Sequence, residues 1–319
     1  MATETIVTTA APFVVQPQLT AIAIAYQNAR MIADSVLPRV PVNRADFKYT
    51  VYDKRDTFTI PDTKVGRTSR PNEVDWHATE AVASVRPWGL EEPIPQEDFD
   101  NAAGTPIDPE AQATEQLTDL ILLDREQRAA NLVFNAASYA ANNKTTLTAA
   151  PGSQWSDPTS EPATVITDAM DSMIVRPNTM VLGRRTATWL RRNPNIIKAY
   201  NQTLGDQGKV PLAFLQDLFE VDNILVGEAW ANTAKKGQVG SFARVWGDHA
   251  ALLYINPVSQ NVKSMTFGVT AQWGERIAGT RPDPDCGLKG GVRVRVGEEV
   301  KELVLANDLG YFFQNAVAN

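Results

Sequence analysis

The sequence predicts an α+β fold organised around one long helix, and three observations support this class. Residues 107–139 form a helical pattern whose apolar members recur at multiples of three or four residues, at Leu120, Leu123, Ala130, Phe134 and Ala137. Alternating apolar and polar residues precede this pattern, as in β-strands. The half of the chain that follows it alternates helix and strand patterns, which is typical of a sheet covered by helices.

The N-terminal part, residues 1–45, is predicted to be an extended arm that ends in a short helix. Residues 1–18 are rich in Thr, Ala, Val and Pro and have no helical period, so only packing on another surface can order them. Residues 19–36 place apolar side chains on one face of an amphipathic helix. The prolines of the LPRVPV segment stop this helix.

Residues 46–90 are predicted to form an extended loop built on a β-hairpin. Phe47, Tyr49 and Val51 lie on one side of a strand, and a second alternating stretch at residues 76–88 can pair with it. The polar segment between them is far longer than a hairpin turn requires, and loops of this length are usually functional or disordered. We predict that the cations of this loop contact a neighbouring subunit. These cations are Lys54, Arg55, Lys64, Arg67 and Arg70.

Residues 91–155 are predicted to form a peripheral domain that contains the long helix at residues 107–139, called here the spine helix. A capping residue, Asp108 or Thr105, marks its start, and Pro109 or Pro106 suits the first helical position. Glu110 adds negative charge at the positive end of the helix dipole. The start of the spine helix is therefore well defined.

An acidic run precedes the spine helix and supplies the second group of predicted inter-subunit contacts. Its members are Glu91, Glu92, Glu97, Asp98 and Asp100. The QEDFDNAAG segment matches a calcium loop only in part, because Ala102 stands where such a loop has Asp or Asn and no bidentate Glu follows in register. We therefore expect no metal here and interpret the acids as a complementary surface for the basic loop.

Residues 156–290 are predicted to form an α/β axial domain, and residues 291–319 to return to the sheet as C-terminal strands. The turn-rich connector ANNKTTLTAAPGSQWSDPTSEP separates this half from the spine helix. The pattern predicts helices at 162–173, 184–200 and 212–219 and strands at 178–183 and 223–226.

Composition excludes several function classes. The chain of 319 residues has a net charge of −7, and a nonspecific grip on nucleic acid would instead need clustered Lys and Arg to neutralise many phosphates. The single cysteine, Cys286, excludes an intramolecular disulfide and a cysteine cluster for zinc. No segment has the length and apolar character of a membrane span, so we expect a soluble protein without membrane contact.

No catalytic residue, cofactor or metal ligand is predicted. The two histidines, His77 and His249, lack a paired nucleophile motif, and we interpret both as surface or turn residues. The GLKGG segment lacks the Ser or Thr that follows the lysine of a phosphate-binding loop. Four tryptophans are predicted to fill the core because they fall within or beside predicted elements, and they are Trp189, Trp230, Trp246 and Trp273.

The succession of these elements resembles the major capsid proteins of tailed bacteriophages, which have the Hong Kong 97-type fold. Arm, short helix, extended loop, spine helix and α/β axial domain follow one another in the order used by that family. The segments NTMVLGRRTATWL, NPNIIKAY, LFEVDNILVGEAWANTAKKGQ, VWGDHAALLYINP and ANDLGYFF are also similar to members near this length. The match extends over most of the chain, from the N-terminal helix onward.

The resemblance implies a structural subunit without an active site that assembles as pentamers and hexamers into an icosahedral head shell around double-stranded DNA. It implies a virion protein that assembles in the host cytoplasm and touches the packaged DNA weakly and nonspecifically. A separate scaffolding protein and a portal are expected partners, since the long helical N-terminal extension of some members is lacking. The alternatives are an encapsulin-type cage, which shares the fold and holds enzymes, and a soluble hydrolase with an unrecognised site.

Overall fold

The computed structural model of the chain describes residues 13–52, 60–73, 78–106, 108–202, 205–235, 237–256 and 265–318. In these ranges the chain folds into helices, one five-stranded sheet, one six-stranded sheet and two separate β-hairpins. The α+β class predicted from the sequence is confirmed.

The helices of the described residues are α1 Pro17–Ala25, α2 Ala33–Val36, α3 Gln96–Ala102, α4 Pro109–Val133, α5 Pro162–Ser172, α6 Arg184–Arg192, α7 Pro194–Asn201 and α8 Leu212–Phe219. A short 3₁₀ helix, Ala136–Ser138, follows α4.

The strands before α4 are β1 Val14–Val15, β2 Arg39–Pro41, β3 Asp46–Tyr52, β4 Ala78–Ser84 and β5 Arg86–Pro95. Those after it are β6 Lys144–Thr146, β7 Thr179–Gly183, β8 Asn223–Gly227, β9 Trp230–Asn232, β10 Phe242–Arg244, β11 Ala250–Leu253, β12 Gly268–Gln272, β13 Ile277–Asp283, β14 Gly291–Val304 and β15 Gly310–Gln314.

The spine helix is α4, and its start follows from local chemistry. The Asp108 side chain accepts a hydrogen bond from the Glu110 amide at 3.0 Å, and Pro109 occupies the first helical position. The helix ends at Val133 rather than at residue 139, because Phe134 leaves the helical backbone region. The observed spine helix is thus shorter than the predicted one.

The buried face of the spine helix differs from the predicted stripe. Leu120 is 53% exposed, and Leu123 and Phe134 are only half-buried. The buried residues instead form two rows with a spacing of three or four, and they are Ala113, Thr114, Leu117, Thr118, Ile121, Leu122, Arg125, Glu126, Ala129, Ala130 and Val133. The predicted stripe is therefore only partly right: Ala130 is buried and Leu123 and Phe134 pack on the core, whereas Leu120 and Ala137 are exposed. The stripe also omits two charged side chains of the buried face, Arg125 and Glu126.

The five-stranded sheet has the order β6-β15-β11-β7-β8 and is covered on both faces. Met180 and Leu182 of β7 pack in the cluster formed with helices α5 to α8. Val181 points to the other cluster, which contains Ala129 and Val133 of the spine helix. Burial on both faces explains why β7 reads as a continuous apolar run.

The six-stranded sheet carries the first half of the spine helix. Strand β14 pairs with β5 along one edge and with β13 and β12 along the other. Val294 and Val296 of β14 pack with Leu117 and Ile121 of the spine helix and with Leu19 of α1. The N-terminal helix, the spine helix and the C-terminal strands therefore share one core.

Two helices predicted as continuous are each divided in two. Residues 19–36 form α1 and α2, with a connection held by hydrogen bonds from Tyr26 and Asn28 to Asp119 at 3.2 and 2.8 Å. Residues 184–200 form α6 and α7, because Asn193 caps α7 through the Asn195 amide at 3.0 Å and Pro194 follows it. Both predictions of a single helix are wrong.

Candidate functional site

The basic loop described at residues 60–73 lies entirely on the surface. Every residue in it is exposed, and Ile60 reaches 93%. The loop turns at Gly66, whose carbonyl accepts a hydrogen bond from the Ser69 amide at 3.1 Å. Lys64, Arg67 and Arg70 therefore point into solvent in the isolated chain. Lys54 and Arg55 lie outside the described residues.

The hairpin of β3 and β4 carries this loop, which confirms the predicted strand pairing. Phe47 lies opposite Ala83, and both pack half-buried on the cluster around Val40 and Val269. On the outer face, the Lys48 ammonium lies 2.7 Å from the Glu80 carboxylate. The base of the hairpin is thus anchored, while residues 60–73 beyond it are all exposed.

The acidic run is divided between β5 and α3. Glu91 on β5 accepts a hydrogen bond from Arg295 Nε at 2.5 Å and lies 3.7 Å from Arg281 Nε. On α3, Asp100 lies 3.1 Å from the Lys289 ammonium. These two carboxylates therefore have partners within the chain.

The remaining acids of the run are accessible in different degrees. Glu92 is half-buried on β5, whereas Glu97 and Asp98 are exposed in the first turn of α3. Negative charge at this end of a helix is favourable because the peptide dipoles point their positive end there. In the described part of the chain, Arg67 and Arg70 form no ion pair, so residues 60–73 of the basic loop make no ion pair with the acidic run of the same subunit.

The segment considered as a calcium loop is helical, since α3 covers most of it. Within the described ranges, His, Cys, Asp and Glu side chains do not gather into a group that could hold a metal ion. None of the helices in those ranges combines the length and apolar character needed to cross a bilayer.

A buried ion network joins the N-terminal helices, the spine helix and the six-stranded sheet. The Glu298 carboxylate accepts hydrogen bonds from Arg39 and Arg276, each at 2.9 Å. Arg125 of the spine helix contacts Asp34 of α2 and donates to Thr270 Oγ1 at 3.0 Å. Burial raises the pKa of Glu298, but the charges of Arg39 and Arg276 outweigh it, so the pKa lies below the usual glutamate value.

Glu126 of the spine helix holds a second buried junction. Its carboxylate accepts hydrogen bonds from the Ile32 and Ala33 amides at 2.9 and 2.8 Å, and from Trp246 Nε1 at 2.5 Å. Burial raises its pKa, and these hydrogen bonds act in the opposite direction. The side chain satisfies the free amides at the start of α2, as a capping residue does.

Neither junction is predicted from the sequence, because the predicted pattern of the spine helix contains apolar residues only. The spacing of the two charged residues offered the missing signal: Arg125 lies four residues from Ile121 and from Ala129, and Glu126 lies four residues from Leu122 and from Ala130.

His249 lies in the turn between β10 and β11, as expected, whereas three of the four tryptophans differ from expectation. His249 is half-buried, with its ring centroid 5.6 Å from Phe134 and from Phe312, and its Nδ1 accepts a hydrogen bond from the Asn315 amide at 2.9 Å. Of the tryptophans predicted to fill the core, Trp246 does so. The other three are at least 36% exposed: Trp189, Trp230 and Trp273. His77 lies outside the described residues.

Solved structures with a similar fold include shell proteins of phages and of encapsulins. A phage-related protein of Bordetella bronchiseptica RB50 matches with a TM-score of 0.76 and 24% identity, covering 96% of this chain and 98% of that one. The capsid of cyanophage P-SCSP1u matches with a TM-score of 0.57 and 13% identity over 97% and 92% of the two chains. The SrpI encapsulin of Synechococcus elongatus PCC 7942 reaches 0.51 at 12% identity over 92% and 90%. The fold is thus the Hong Kong 97-type capsid fold.

Relatives in sequence show which group of proteins with this fold the chain belongs to. The chain is 58% identical over 308 residues to the major capsid protein of Pseudomonas phage JBD67, which covers 97% of this chain and 99% of that protein. It is 32% identical over 250 residues to the major capsid protein of Burkholderia phage BcepMu, which covers 76% of each. No family model matches the sequence. The chain belongs to the major capsid proteins of bacteriophages, and it is a structural subunit of the virion shell rather than an enzyme.

Proposed function

We propose that the chain assembles as pentamers and hexamers into the icosahedral head of a tailed double-stranded DNA phage, with the basic loop laid on a neighbouring subunit. The observation that carries this proposal is the full exposure of residues 60–73, including Ile60 and three cations. A loop with so few apolar residues cannot bury itself, so its ordering must come from another surface.

The proposed receiving surface is the exposed start of α3 on the neighbour. Glu97 and Asp98 lie there, whereas Glu91 and Asp100 already contact Arg295 and Lys289 within the chain. Charge-assisted contacts between Arg67 or Arg70 and these free carboxylates would fix the register of the two subunits. The candidate residues Lys54, Arg55, Lys64 and Glu92 belong to the same proposed seam.

The remaining parts of the proposal concern partners and domains. Assembly takes place in the host cytoplasm with a separate scaffolding protein and a portal, and the net charge of −7 keeps contact with packaged DNA weak and nonspecific. The arm and short helix at 1–45, the loop at 46–90, the peripheral domain at 91–155, the axial domain at 156–290 and the C-terminal strands at 291–319 are the proposed units. An encapsulin cage has the weaker support, because both sequence relatives are phage capsid proteins.

The test is the charge-reversed double variant Arg67→Glu with Arg70→Glu. We expect circular dichroism and thermal unfolding of the subunit to stay close to the parent, because both side chains are exposed, while counts of shells by negative-stain microscopy fall sharply. The matched control is Arg30→Glu with Arg44→Glu, two other exposed arginines, and it should assemble normally. Normal shell yields from the loop variant at physiological salt would refute the proposed seam.

A further inference from the structure

The hairpin of β9 and β10 presents an unusual exposed surface. The strand register pairs Trp230 with Arg244 and Asn232 with Phe242, which places these four side chains on one face. Trp230 is 50% exposed and Phe242 is 69% exposed, and the Arg244 guanidinium lies 4.3 Å from the Trp230 ring centroid. We call these four residues the aromatic face.

The hairpin is held in shape without covering this face. Asn232 Oδ1 accepts hydrogen bonds from the amides of Ala234 and Ser241, each at 3.0 Å, and these bonds close the turn. On the opposite face Ala231 packs on the core around Trp246. The hairpin therefore presents two large aromatic side chains to solvent from a fixed backbone, as docking surfaces do.

The charge of the hairpin indicates what covers it. Residues 230–244 contain Lys235, Lys236 and Arg244 and no Asp or Glu, although the whole chain carries −7. A matching partner surface must be acidic and must offer an apolar centre for the aromatic rings.

Such a surface exists at the other end of β8, and we call it the acidic patch. Ile174 is 53% exposed, and Arg176 lies 3.2 Å from Asp171 and 3.0 Å from Glu220, which brings the ends of α5 and α8 together. The exposed Asp222 joins this group, since its amide donates to the Asn178 carbonyl at 2.9 Å. Arg176 pairs with two of the three carboxylates, and the exposed Ile174 lies two residues before it in the chain.

The two surfaces lie at opposite ends of one edge strand. The acidic patch precedes β8, the hairpin follows it, and β8 is an edge strand of the five-stranded sheet. Five residues of extended strand separate them by about 17 Å, so a subunit cannot readily fold its own hairpin back onto its own patch. Two different surfaces that complement each other on copies of one chain form head-to-tail contacts, which give rings when the rotation between neighbouring copies closes.

We propose that the aromatic face of one subunit docks on the acidic patch of a second copy of this chain, and that this contact repeats around each ring of subunits in the shell. The inference rests on the proposed assembly into pentamers and hexamers. It adds a second contact that is separate from the seam of the basic loop.

The first test compares Phe242→Ser with Ala243→Ser, a change on the opposite face of the same hairpin. The yield of rings and shells, measured by sedimentation and negative-stain counting, should fall about tenfold or more for Phe242→Ser, because one exposed aromatic contact is lost at every junction. Ala243→Ser should assemble as the unmodified chain does. Circular dichroism should show the same fold for all three proteins.

The second test exchanges charges across the proposed contact. Lys235→Glu and Asp222→Lys should each reduce ring yield, and the chain that carries both changes should recover most of it, since opposite charges face each other again. A double variant that is no better than the single ones would overturn the proposal. Equal shell yields from the unmodified chain and from Phe242→Ser would overturn this inference alone. An unmodified chain that never oligomerises would overturn the proposed function as well.

Discussion

Glu298 connects three parts of the molecule through two guanidinium groups. Its side chain is fully buried on β14 and contacts Arg39 of β2 and Arg276, which also donates to the Ala23 carbonyl of α1 at 2.6 Å. A buried charge is tolerated only when its partners compensate for the lost water. The residue therefore links the N-terminal segment to the C-terminal sheet.

Replacement of this carboxylate should be costly. We expect Glu298→Gln to lower the free energy of unfolding by about 3 to 5 kcal/mol, because the buried Arg276 loses its counter-charge and the half-buried Arg39 keeps only Asp34 among the described carboxylates. The measurement is urea unfolding of the dissociated subunit. Glu299→Gln is the control, since this neighbouring side chain is half-buried and outside the network, and an equal effect of both changes would contradict the assignment.

The pH dependence of stability follows from the same network. Burial raises the pKa of Glu298 and of Asp34, but the nearby arginines outweigh burial and lower both below their usual values. The native state then binds protons less readily than the unfolded chain, so the stabilisation is present above an unfolded pKa of about 4 and is lost as pH falls through the lower folded pKa. As the pH is lowered from about 5 to about 2, the urea concentration at the unfolding midpoint of the parent should decrease. The decrease should be smaller for Glu298→Gln.

At the scale of elements, the spine helix offers a direct comparison of two neighbouring residues. Ile121 is 3% exposed and packs in the cluster with Leu117 and Val294, whereas Leu120 is 53% exposed. Ile121→Ala should destabilise the subunit by about 2 to 5 kcal/mol through the lost burial and the cavity left behind. Leu120→Ala should have little effect on urea unfolding. If Leu120→Ala proves the more costly change, the helix is rotated relative to the structure described here.

Local signals in the sequence predicted the starts of helices better than their buried faces. Asp108 and Pro109, one of the two predicted pairs, begin the spine helix, and helix α8 occupies the predicted residues 212–219. The division of α6 from α7 was also readable, since Asn193 and Pro194 are a typical helix start. The buried face of the spine helix was not, because the positions of Arg125 and Glu126 depend on partners far away in sequence.

At the scale of the whole molecule, the order of elements and the pairing of β3 with β4 were predictable, and the pairing of strands distant in sequence was not. The extended hairpin, the spine helix and the alternating second half appear in the predicted order. The pairing of β14 with β5 joins segments about 200 residues apart, and periodicity contains no information on such partners. Likewise, the exposure of the basic loop followed from its composition, whereas the exposed Trp230 and Phe242 depend on the register of a hairpin that the sequence pattern does not specify.

The central claim is that this chain is a shell subunit whose exposed loop and hairpin are covered by other copies. Negative-stain microscopy of the purified protein, with a scaffolding protein supplied, tests it most directly. We expect rings and closed shells far larger than the 34.9 kDa chain. A compact monomer that persists at high concentration under these conditions would contradict it.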